Sequence, residues 1–288
     1  MISGTGTGLK QRVWLDFIPY ANRLFAAGRE DIWSNADTFI SNFSHWQGLL
    51  RSDILSIPLY DFYADWINEN MDLLQTWAGK KATFSLKKLL AAEKPRKEIS
   101  DVLIGLHNLY KGAQPFVLRF PSPQKWLQLL HPMVRPGQEL MISEEDIEVA
   151  SMHLAEYLRN FSSHGLSAIV MEENNQLNMM SNQVCTLYQP VFNLAKHYQW
   201  SVGIHLEESV DESLEITDKI DFYLFGNSDF TTLLHQWEKG NNIGGGLNRD
   251  FWSKQQVLPE RLQAKFMYGE VPEDAEPETV LSQLKWLR

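Results

Sequence analysis

Residues 143–173 read SEEDIEVASMHLAEYLRNFSSHGLSAIVMEE and contain one complete helix-to-strand unit. Ser143 followed three positions on by Asp146 marks a helix start: the hydroxyl takes an orphan backbone N–H, and an acid in the first turn suits the positive end of the helix. Ile147, Met152 with Ala155, and Leu158 then recur at helical spacing. Gly165 is placed to stop the helix, since glycine adopts the left-handed conformation of a C-cap without penalty. Ala168–Met171 follows as a short apolar run that ends in two acids, Glu172 and Glu173. A helix feeding a buried strand is the repeating unit of a parallel sheet covered by helices.

The same alternation extends in both directions. Pro115–Phe120 precedes the unit, and Ser201–His205, Phe222–Phe225, Ile243–Leu247 and Ala264–Tyr268 follow it as strand candidates separated by amphipathic windows. The first ninety residues are instead dense in aromatics, with Trp14, Trp33, Trp46, Trp66 and Trp77 among nine Phe and Tyr residues, which read first as core packing. Phe39, Phe43 and Trp46 predict a helix over 35–50, and 55–63 reads as a strand leading into a loop. The charged, proline-containing stretch 91–100 (AAEKPRKEIS) reads as a junction. Residues 1–95 are therefore expected to complete or cover the fold and 96–288 to carry the βα repeats, in one domain overall.

A net charge of −10, from 26 basic and 36 acidic residues, argues against a nucleic-acid partner. No run of 18 apolar residues is present, so no membrane span is expected, and the short glycine-rich start lacks a signal pattern. The expected location is cytoplasmic, and the expected partner is a small-molecule substrate, with a homo-oligomer compatible with the sequence. The single cysteine, Cys185, excludes an internal disulfide and any site that needs two thiolates from this chain.

Parallel βα folds gather their chemistry beyond the C-terminal ends of the strands. Those ends supply Arg119, Glu172 with Glu173, His205 with Glu207 and Glu208, Asn227, Asn248 with Arg249, and Tyr268 with Glu270. Adjacent strand residues point to opposite faces, so one of the two acids faces the centre, and Glu172 is the favoured one. His205 and Glu172 are the candidate catalytic pair, with a nearby Glu172 expected to hold the imidazole protonated. Arg119, Glu173, Asn227, Asn248, Arg249 and Tyr268 are the candidate substrate-binding residues. His205, Glu207 and Glu270 are a candidate metal set without a spacing signature, so the only cofactor suggested is a divalent metal. The triple glycine 244–246 lacks the Lys-Ser/Thr of a phosphate loop and reads instead as a place of close backbone approach.

The order FVLRFPSP (116–123), HGLSAIVMEEN, YQPVFNLAKHYQWSVGIHLEES, KIDFYLFGN, GGGLNRDFW and KFMYGEVPEDAEPETVLSQLKWL resembles the uroporphyrinogen decarboxylase and cobalamin-independent methionine synthase superfamily over about residues 110–288. The resemblance implies a (β/α)8 barrel of the TIM type, here with an aromatic-rich N-terminal elaboration. It implies a divergent methyltransferase-like enzyme acting on a small acid or amino-acid-like substrate, with Glu172 positioned to hold an amine. The methyltransferase branch binds zinc through a His-x-Cys pair and a late Cys. This chain keeps His205, but Glu207 stands at the first Cys position and Tyr268 or Gly269 near the late one. The alternatives are a cofactor-free decarboxylase of the same superfamily, a lyase whose N-terminal arginines grip substrate carboxylates, or a catalytically silent barrel used as a scaffold. Arg12, Arg23, Arg29 and Arg51 are scattered and do not form such an arginine-rich segment.

Overall fold

The computed structural model describes residues 12–27, 30–174, 182–207, 209–210, 217–255 and 266–288. Among them are eight strands: β1 (Arg12–Asp16), β2 (Leu55–Pro58), β3 (Phe116–Pro121), β4 (Ala168–Glu173), β5 (Ser201–Leu206), β6 (Phe222–Phe225), β7 (Ile243–Gly244) and β8 (Phe266–Glu270). Strands β2 to β7 pair in chain order, and β1 pairs with β8, every pair parallel. Two seams close the ring. Between β7 and β8, Gly246 bridges Tyr268, with Tyr268 N–H donating to Gly245 O at 3.0 Å and Leu247 N–H to Tyr268 O at 3.2 Å. Between β1 and β2, Asp53 N–H donates to Val13 O at 2.8 Å, while Val13 N–H reaches the Asp53 carboxylate at 2.8 Å and Leu15 N–H reaches Ser52 Oγ at 3.0 Å. The chain is a (β/α)8 barrel.

Alternation along the strands separates two cores. Trp14, Ile54, Val117, Ala168, Val170, Phe222, Leu224, Phe266 and Tyr268 fill the barrel interior, and the neighbouring strand residues pack outward against the helices. The interior is aromatic: Trp14 meets Tyr268 edge-on at 5.7 Å, and Phe222 meets Phe266 edge-on at 6.2 Å between centroids. Two glycines make room for these rings. A Cβ on Gly203 would lie 2.3 Å from the Phe222 ring, and one on Gly244 would lie 2.1 Å from the Phe266 ring.

The helix over 35–50 forms as Ala36–Leu50, with Asn35 capping it through Thr38 N–H at 2.9 Å. Glu144–Leu158 starts at a reciprocal Ser143/Asp146 capping box. Three expectations change. Residues 55–63 are not a strand running into a loop, since β2 ends at Pro58 and the helix Leu59–Glu69 begins at once. The stretch 91–100 is not a junction but the start of the helix Glu93–Tyr110, whose Pro95 sits in the first turn, where its missing N–H leaves no helical bond unmade. Strand β7 is shorter than expected, Ile243–Gly244, and beyond it Gly246, at φ +90°, keeps only an isolated bridge to Tyr268. The strand β1 was not anticipated, and Ala264 of the last strand candidate lies outside the described residues, as does Arg29.

None of the described helices is long and apolar enough to cross a membrane.

Candidate active site

The interior positions nearest the C-terminal ends of the strands carry polar side chains where the positions below them are apolar. Two residues beyond Trp14 is Asp16, beyond Val117 is Arg119, beyond Val170 is Glu172, and beyond Tyr268 is Glu270. His205 stands two residues beyond Gly203, in register with Glu172 on one side and Leu224 on the other. Parallel pairing places Asp16 beside Glu270. The sheet itself therefore assembles this ring of groups at the face of the barrel where its strands end.

Arg119 lies at its centre. The guanidinium is buried, forms a close ion pair with Asp16, lies 3.5 Å from Glu172 Oε1 through Nε, and donates to Tyr268 Oη at 3.3 Å. Its Nε, buried, makes no hydrogen bond of good geometry among the described residues. Tyr268 Oη is also 3.3 Å from His205 Nε2 and donates to Glu270 Oε1 at 3.3 Å. The same Glu270 oxygen is 3.3 Å from His205 Nε2. Arginine, tyrosine, histidine and glutamate thus share one connected network.

Burial and charge set its protonation. Glu270 is half exposed, yet its enclosed position at the ring pushes it up to about 7, with Asp16 and Glu172 adding to the rise and Arg119 opposing it. Asp61, three residues beyond β2, is pushed up to about 7 by burial and by the charges of Glu172 and Asp16, again against Arg119. Burial, followed by the charges of Arg119 and Lys125, drives His205 well below the usual imidazole range. Arg119 is held charged: burial works against it, but Asp16, Tyr268, Glu172 and Glu270 outweigh that cost. At neutral pH the His205–Glu270 contact is consequently a hydrogen bond between an uncharged imidazole and a carboxyl poised to release its proton, rather than an ion pair. The expectation that Glu172 holds His205 protonated is not supported, because Glu172 engages Arg119, and burial and the Arg119 and Lys125 charges favour the neutral imidazole.

The other sequence-derived candidates separate clearly. Glu172 and Tyr268 join Arg119, His205 and Glu270 in the ring. Glu173 points to the opposite face, buried where it accepts a hydrogen bond from Tyr188 Oη, so it is not a ring residue. Asn227 is exposed and donates to Glu207 O, which ties two loops together. Asn248 caps the short helix Arg249–Trp252 by accepting from Phe251 N–H at 3.0 Å. Arg249 is exposed and paired with Asp274 at 2.5 Å. Glu207 is 61% exposed and lies 3.9 Å from Lys125; Glu208 lies outside the described residues. Burial raises the Cys185 thiol, which makes it a poor nucleophile.

The metal set does not assemble. His205 and Glu270 meet, but among the described residues no three His, Cys, Asp or Glu side chains converge in ligating geometry. With no thiolate at either position the resemblance calls for, the donor set does not fit the zinc site of the methyltransferase branch.

Three contributors escaped sequence reading. Asp16 ends a five-residue strand whose alternation, Trp14 then Asp16, carries a weak signal only once β1 is recognised as a barrel strand. Asp61 follows a strand end in PLYDF, within the aromatic segment read as packing. Lys125 lies in the first turn of the helix Pro123–Val134, which Ser122 caps by accepting from Lys125 N–H at 3.0 Å.

No protein-family model and no curated protein matches the chain. Among solved structures it is similar to the type I 3-dehydroquinate dehydratase of Clostridium difficile, crystallised with covalently modified comenic acid, at 13% identity and a TM-score of 0.46, over 99% of this chain and 94% of that one.

Proposed function

We propose that this barrel is an enzyme that moves a proton on a small organic substrate, with Glu270 and His205 as the acid–base pair and Tyr268 orienting them. The observation that carries this reading is the three-way contact among Glu270, His205 and Tyr268, 3.3 Å on each side, at the catalytic face of the barrel. A carboxyl that titrates near the working pH is suited to general acid–base catalysis, since it can both give and take a proton. The carboxylates around it favour a substrate bearing an amine or another cation, and Glu172 is the group placed to receive one.

Within the superfamily that the sequence resembles, this set suits the decarboxylase branch better than methyl transfer. Loss of carbon dioxide leaves a carbanion that needs a proton, and Glu270 supports its delivery. Methyl transfer through a thiol-activating metal would require thiolates that this chain does not have. The position of Glu172, facing the ring as an amine holder would, is the one feature that favours the methyltransferase-like reading.

A thermal-stabilisation screen of small carboxylic acids, amino acids, amines, thiols and folates tests the proposal, because a ligand selective for the folded state raises its apparent stability. Cationic and amino-acid-like compounds are expected to stabilise the wild type and to do so less in Glu172→Gln, Glu270→Gln and His205→Ala. Responses identical in all four proteins would rule the mouth out as the binding site.

A further inference from the structure

The helical layer holds a second feature that none of the mouth residues touches. A cleft of about 760 Å3 lies among the helices Ala82–Leu90, Glu93–Tyr110 and Glu144–Leu158. We propose that it binds an organic phosphate, with the phosphate held by Lys87, Arg96 and Arg159 and the organic body lying on Met152 and Tyr157.

Charge placement is the first support. The protein carries a net charge of −10, yet Lys87, Arg96, His153 and Arg159 line this cleft against one acid, Glu156. Three surface lysines on the same layer have carboxylate partners, Lys81 with Asp146 at 3.2 Å, Lys94 with Glu69 at 2.6 Å and Lys97 with Asp101 at 2.6 Å, whereas Lys88 lies over the Phe84 ring. Among the described residues, no carboxylate lies within 4.0 Å of the Lys87, Arg96 or Arg159 head groups. Like charges outnumbering a single acid repel, and His153 registers it: burial and then the Lys87 charge lower its proton affinity, with Glu156 opposing them. An anion seated between them removes that repulsion, and guanidinium forks match the geometry of phosphate oxygens.

The floor is the second support. Tyr157 is buried and lines the cleft, while Met152 remains 58% exposed beside it. A fully hydrated inorganic ion would leave that apolar surface uncovered. The volume also falls within the range of small-molecule sites, roughly 300–1,000 Å3.

Calorimetric titration of the whole protein with ADP and, separately, with inorganic pyrophosphate tests the assignment. ADP is expected to bind at one site, several-fold tighter than pyrophosphate, with an affinity that falls as salt is raised. The double variant Lys87→Gln/Arg159→Gln changes two exposed side chains, so its melting temperature should hold while ADP affinity drops tenfold or more. Glu172→Gln should leave ADP binding intact. The proposal is overturned by absence of saturable ADP binding, by equal affinity in the double variant, by loss of binding in Glu172→Gln instead, or by pyrophosphate binding as tightly as ADP.

Discussion

Arg119 shows how one side chain can hold a whole mouth together. Its charge is buried, and what offsets the desolvation is the ion pair with Asp16, the nearby Glu172 and the Tyr268 hydroxyl. Replacing it with methionine fills the same space but leaves two acids facing each other without a counterion. Arg119→Met is therefore expected to cost roughly 3–5 kcal/mol in urea denaturation, and adding Asp16→Asn to recover part of the loss. An unchanged midpoint in Arg119→Met would mean that Asp16 and Glu172 are solvated rather than clamped. Asp61 gives the opposite sign. Its folded pKa, about 7, lies above the ordinary carboxyl value of 3.8, so its contribution to stability is complete below about pH 4 and is lost as pH rises through 7. Asp61→Asn removes that loss. Its melting temperature relative to wild type is expected to climb between pH 5 and pH 8, and a difference independent of pH would contradict the assignment.

At the scale of elements, the alternation of each strand decides what reaches the mouth. The strand ends Arg119, Glu172 and His205 were legible because their strands are apolar runs bounded by clear turn or helix signals, and because period-2 geometry separates Glu172 from Glu173. Asn248 and Asn227 read as strand-end ligand contacts, whereas Asn248 caps a helix and Asn227 donates to the Glu207 carbonyl, because one sequence does not distinguish an amide that meets a ligand from one that meets the backbone. Asp16 was hidden because β1 is only five residues long and lies among tryptophans whose bulk suggested packing, which Trp14 indeed provides. The glycines of β5 and β7 are part of the same design, since each clears space for a ring inside the barrel. Gly203→Ala and Gly244→Ala are each expected to cost about 1–3 kcal/mol, because the obstructing atoms belong to the packed rings of Phe222 and Phe266 and not to a flexible chain end. Denaturation midpoints equal to wild type would show that those rings can move aside.

For the whole molecule, ring closure is what turns scattered residues into a site. Asp16 and Glu270 come from opposite ends of the chain and meet only because β1 pairs with β8. The alternating pattern after residue 110 made the parallel sheet legible, whereas closure depends on hydrogen bonds of Ser52, Asp53, Gly245 and Leu247 that no periodicity encodes. A fragment of residues 96–288 lacks β1 and β2, leaving β3 and β8 as open edges and the barrel interior without Trp14 and Ile54. Such a fragment is expected to show no cooperative thermal transition and no native near-ultraviolet dichroism; a cooperative transition would mean that the first two strands are an accessory to an independent sheet. The mouth itself can be read directly by following the side-chain carboxyl carbons of Glu270 and Asp61 by NMR across pH 3–9. Both resonances are expected to titrate with midpoints near 7, with Glu270 shifting downward in Asp16→Asn. Midpoints near 4 for both would show that these carboxyls are solvated and that the barrel mouth holds no proton to transfer.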